Sequence, residues 1–65
     1  MELRLIASQC DDGDCPAIYA TDRGSFIVQG LSVTDPQALA ALHLPSGEAA
    51  VEIPRSLILR AAREP

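Results

Sequence analysis

The sequence predicts an α+β domain: a small β-sheet or partly closed barrel, ordered β-β-β-α-β-α, with two short helices. Three observations carry that expectation. Two β-rich runs, "AIYA" and "SFIVQG", flank the glycine-containing turn "TDRG". A proline follows capping residues in "TDPQALAAL", and an alternating segment, "EAAVEI", runs through a second proline into "RSLILRAAR". With 65 residues and neither repeats nor a linker, residues 1–65 form a single small domain.

Taken in order, "LRLIA" (Leu3 to Ala7) is a short apolar run that reads as the first strand. "SQCDDGDCP" breaks regularity, because Gly13 and clustered aspartates favour turns. The next two strands form a hairpin through Asp22-Arg23-Gly24, since Gly24 can take the left-handed conformation of a three-residue loop. Gly30 interrupts the second of them and marks a bulge or a close backbone approach, after which Leu31 and Val33 continue. Thr34 or Asp35 caps the first helix, Pro36 fits its first turn, and Gln37 completes a capping box if Thr34 is the cap. Ala38, Leu39 and Leu42 share one side of that helix, which Pro45, Ser46 and Gly47 end. Val51 and Ile53 alternate with Glu52 in a further strand. Pro54 opens a last helix through Arg63, with Leu57, Ile58, Ala61 and Ala62 on its apolar arc and Arg60 and Arg63 on the wet side.

Composition narrows the function classes. A chain this short buries about 60% of the surface it exposes when unfolded, so a disulfide, a metal or self-association is the usual reinforcement. Its core is aliphatic, Phe26 and Tyr19 being the sole aromatics, and no run of about 20 apolar residues would span a membrane. "MELRLIASQ" carries Glu2 and Arg4 among its apolar residues, unlike a secretory signal, so a cytoplasmic location is expected. The net charge is −4, with six acids against two arginines over residues 1–35 and three against three over 36–65. All five basic residues are arginine, which fits a GC-rich coding bias. Net acidity disfavours nucleic acid as a partner, because neutralising phosphates takes a basic surface.

The stretch "CPAIYATDRGSFIVQG…VTDPQALAAL…PSGEAAVEIPRSLI", roughly Cys15 to Ile58, resembles small uncharacterised actinobacterial proteins. Their pattern is C-P, T-D-R-G, V-Q-G and E-I-P, and they lie near helix-turn-helix regulators. The resemblance implies a regulatory accessory protein acting with a transcriptional regulator, and it supplies no catalytic residue. "ALAALHLPSGEAAVEI" is also similar to the helix-turn-strand segment of AbrB-type swapped-hairpin factors, which bind DNA as dimers. The strand before the helix lacks their I-P-K-type start and their basic residues, so an AbrB-like DNA-binding dimer stands as the weaker alternative.

The residues that could carry chemistry have plainer readings beside them. Zinc wants four ligands, and Cys10, Cys15 and His43 offer three. A disulfide could close the short C-x4-C loop, but cytoplasmic thiols stay reduced, and flanking aspartates disfavour the thiolate that a redox switch needs. The expectation is two reduced thiols with no chemistry. A metal- or thiol-responsive role for Cys10 and Cys15 stands as the alternative. Asp11, Asp12 and Asp14 do not match calcium-loop spacing and read as a solvated acidic turn. His43 suits a helix C-terminus, and no nucleophile stands beside it in a recognisable motif. No enzymatic activity and no cofactor are expected.

The function expected is therefore a non-enzymatic protein-interaction module, with Ile18, Ile27, Leu31, Arg60 and Arg63 as interaction residues. A homodimer is expected on geometric grounds. Adjacent strand residues point to opposite faces, so Ile18, Ile27 and Leu31 cannot all share one face with Phe26 and Val28. One four-stranded sheet with two helices on one face leaves its other face partly apolar, and a second copy would cover it.

Overall fold

A computed structural model describes residues 1–10 and 15–63 of the chain. It is an α+β domain. β1 (Leu3–Ser8), β2 (Ala17–Thr21) and β3 (Phe26–Gln29) form an antiparallel sheet in the order β1-β2-β3. The β2–β3 turn is the one the sequence marks: Gly24 has φ +78°, and the Thr21 N–H donates to the Ser25 carbonyl at 2.9 Å. Thr21 Oγ1 also accepts from the Arg23 and Ser25 N–H groups, which fixes the turn from its first residue. In β1 the register shifts between Leu5, opposite Tyr19, and Ala7, opposite Ile18, so Ile6 is the extra residue of a bulge.

At Gly30 the chain leaves the first sheet. A Cβ there would lie 2.7 Å from the Glu52 carbonyl oxygen and 2.7 Å from Ile53 Cγ2, so only glycine lets these backbones meet. β4 (Leu31–Ser32) then pairs antiparallel with β5 (Val51–Glu52), and the Val33 N–H donates to the Ala50 carbonyl at 3.1 Å. Between them lies α1 (Pro36–Ala41). Asp35 is its cap: Oδ2 accepts from the Ala38 N–H at 2.8 Å, and Pro36 sits in the first turn. The helix stops at Leu42, whose ψ of 148° is extended, and it buries no residue.

α2 (Arg55–Ala62) packs across β1 and β2 and closes the core. Its Leu57 is 0% exposed and meets Ala7 and Ile18, with Ile6, Ile53 and Ala61 around them. Arg63 is the C-cap rather than the last helical residue.

Three expectations need correction. The strands form two sheets, of three and two strands, because β4 pairs with β5, brought beside it where Gly30 meets Glu52 and Ile53. A partly closed barrel is not formed, since the three-stranded sheet is open with β1 and β3 at its edges. α1 does not help α2 cover that sheet; it stays with β4 and β5 on an arm spanning residues 31–52, and it has no buried side chain. Among the described residues, no helix is long and apolar enough to cross a membrane.

Candidate interaction surface

The β1–β2 hairpin decides the state of the cysteines. Beyond the bulge, Ala7 pairs with Ile18 and Ser8 with Ala17. The Gln9 N–H then donates to the Pro16 carbonyl at 3.0 Å. The next cross-strand position is Cys10 opposite Cys15, and the two are joined in a disulfide with their Cα atoms 5.8 Å apart. This corrects the expectation of two reduced thiols. The C-x4-C spacing is what this antiparallel register demands of a cross-strand pair, a signal visible only once the register is known. With both sulfurs bonded to each other, Cys10 and Cys15 are not thiolate ligands. His43 is exposed beyond the end of α1, and no group of three metal-ligating side chains occurs among the described residues. The calcium reading of Asp11, Asp12 and Asp14 falls outside the described residues.

Next to the disulfide, α2 is tied to the sheet by polar contacts. Arg60 Nη1 donates to the Ser8 carbonyl at 2.8 Å, and Ser8 Oγ donates to the Cys10 carbonyl at 2.6 Å. Gln9 Nε2 adds a longer contact, 3.4 Å, to Ser56 Oγ. Arg60 thus stays on the exposed side of α2 and, from there, also ties the helix to β1. Arg63 is exposed, and its N–H donates to the Arg60 carbonyl at 3.2 Å.

The apolar side chains fall in three places. Ile18 is core, 4% exposed beneath Leu57 on the central strand where α2 lands, so it reaches the surface only as the floor of a hollow. α2 covers β1 and β2 but leaves β3 open. Val28 lies opposite Ile18, and Phe26 lies opposite Ala20, so both point to the helix side of the sheet. Phe26 is nonetheless 68% exposed. Together with Ile18, Ile58, Ala61 and Ala62 they line a hollow of about 250 Å³ between β3 and the flank of α2. On the opposite sheet face, Leu5, Tyr19 and Ile27 lie in one cross-strand row beside Leu3, and Leu3, Leu5 and Ile27 are exposed. The third place is the arm. A hollow of about 770 Å³ separates α1 from the β4–β5 ribbon, lined by Leu31, Val33, Ala38, Leu42 and Val51 among others, with Leu31 74% exposed.

The two sheet edges differ in kind. β1 carries Arg4 and its bulge and follows Glu2, all devices that discourage strand addition. β3, "FIVQ", has no charge, no proline and no bulge. Its hydrogen-bonding sense follows from the Thr21–Ser25 bond: odd-numbered β3 residues bond β2, so the N–H and C=O groups of Phe26 and Val28 point out from the open edge.

No family model, no curated protein and no solved structure matches this chain.

Proposed function

We propose that the chain is a non-enzymatic protein-interaction module, a cytoplasmic regulatory accessory that works as a homodimer with a transcriptional regulator. One observation carries this reading. The chain exposes 5212 Å² for a mass of 6.9 kDa, whereas a folded monomer of that mass exposes about 4,000 Å². The excess, about 1,200 Å², exceeds the roughly 800 Å² per partner of a standard interface. Much of the exposed surface is aliphatic: the β3–α2 hollow, the uncovered sheet face and the arm. The choice of a regulator as partner follows the family resemblance, and the arm, on which Leu31 is the most exposed large apolar side chain, is the surface assigned to it.

The test is calorimetric titration of the nearest-encoded helix-turn-helix regulator with the purified chain. Binding at about micromolar affinity is expected. Leu31→Asp should weaken it about 30-fold while leaving the fold intact by circular dichroism. No binding at about 100 µM of either protein would overturn the reading.

The Cys10–Cys15 disulfide favours a second reading, a thiol-responsive protein. In a reducing cytoplasm such a pair opens and closes with the redox state. The bond lies beside the Ser8–Arg60 contact, so its state would be felt where α2 meets β1.

A further inference from the structure

We infer that two copies of this chain join edge to edge through β3, forming a six-stranded antiparallel sheet about a two-fold axis at Ile27. The inference rests on the dimeric reading above and specifies its interface.

Three independent features select this edge and this occupant. The first is the contrast between edges: β1 is protected by charge and a bulge, and β3 is bare. The second is register. The outward backbone groups of β3 belong to Phe26 and Val28, and a two-fold pairing must match these two residues with themselves or each other. Placing Phe26 opposite the partner's Val28, and the reverse, engages both residues at once and forms four N–H to C=O bonds. Registers centred on Phe26 or on Val28 would match only one of them with itself. The favoured register sets Ile27 opposite the partner's Ile27 as a non-hydrogen-bonded pair, the closer kind of cross-strand neighbour.

The third feature is side-chain fit. In that register Phe26 and Val28 stay on the helix side of the sheet, so each Phe26 stands beside the partner's Val28 where the hollow flanked by Ile58 opens. The two hollows then face each other beneath a pair of helices, and Ile27 extends the apolar row of Leu5 and Tyr19 across the axis. A second copy satisfies this strand because the strand complements itself. A foreign strand would need to supply the same alternation.

The experiment is sedimentation velocity of the full chain at several concentrations, with Ile27→Lys and two cysteine variants. The wild type should sediment as a dimer. Ile27→Lys sets two like charges across the axis and should raise the dissociation constant about 100-fold or more, leaving a folded monomer by circular dichroism. If that variant unfolds instead, the cysteine variants still decide. Ile27→Cys should form a covalent dimer on mild oxidation, because a non-hydrogen-bonded pair has Cα atoms about 4.5 Å apart. Val28→Cys should not, because its two copies are offset by two residues each way and lie beyond the roughly 7 Å limit for a disulfide. A monomeric wild type overturns the proposal, including the case in which β3 accepts a strand from another protein. A dimer that cross-links through Val28→Cys but not Ile27→Cys overturns the register. Because the regulator is assigned to the arm, Ile27→Lys should still bind it. Loss of dimerisation with retained regulator binding separates this interface from the functional reading, and a dimeric wild type that binds no regulator separates them the other way.

Discussion

Replacing Leu57 with alanine removes the one fully buried large side chain among the described residues. Leu57 lies at 0% exposure against Ala7 and Ile18, with Ile6, Ile53 and Ala61 completing its surroundings. Two of those neighbours are alanines, and Ile18 is held in the central strand by ladders on both sides, so little can move into the space. The cost is the lost transfer energy plus that of an unrelaxed cavity, about 3 kcal/mol. A core in a chain of this size rarely supplies more than about 3–5 kcal/mol, so the variant should lose most of that margin and unfold at a much lower urea concentration than the wild type. Leu59→Ala, on the same helix but 55% exposed, is the matched control and should cost within about 0.5 kcal/mol. Urea titration followed by far-ultraviolet circular dichroism, at one fixed protein concentration, measures both. Equal losses from the two substitutions would refute the placement of α2 on the sheet.

Gly30→Ala should destabilise by about 1–3 kcal/mol, because the new methyl meets the Glu52 carbonyl and Ile53, and Glu52 is held in the β4–β5 pairing. Gly24→Ala should cost about 1–2 kcal/mol for a different reason, its φ of +78° in open space. Hydrogen exchange separates them: the first should loosen the Val33 amide, and the second the Thr21 amide. Reducing the Cys10–Cys15 disulfide should lower stability by about 2 kcal/mol, the loop-closure value for so short a ring. Thiol titration in denaturant without reductant should find no free thiol, and two per chain would contradict the pairing.

How much of this was legible depends on how local each feature is. The β2–β3 hairpin, the stop at Gly30 and the proline-started helices follow from a few adjacent residues, and the structure has them. The cap of α1 was legible only as a choice: Thr34 and Asp35 both offer an oxygen, and the backbone bends so that Asp35 reaches Ala38. The disulfide was discounted because a cytoplasmic chain keeps its thiols reduced; the hairpin register, which runs from Ala7–Ile18 and Ser8–Ala17 to the cysteines, is what sets Cys10 opposite Cys15. Which isoleucines are exposed was hidden for a related reason. Ile18 and Ile27 look alike in sequence, but pairing turns them to opposite faces, and α2 lands on only one. The split into two sheets needs the contact of Gly30 with Glu52 and Ile53, residues more than twenty positions apart.

That contact has an evolutionary consequence. Because Gly30 touches the place where the chain returns at Glu52 and Ile53, everything between them is pinched at its base. The buried cluster draws on Ile6, Ala7, Ile18, Ile53, Leu57 and Ala61, none of which lies on the pinched segment. Residues 34–50 can therefore lengthen, shorten or change composition while the folded platform keeps its packing. Lineages could diverge in what they recognise without renegotiating how they fold, provided the glycine at the neck is kept.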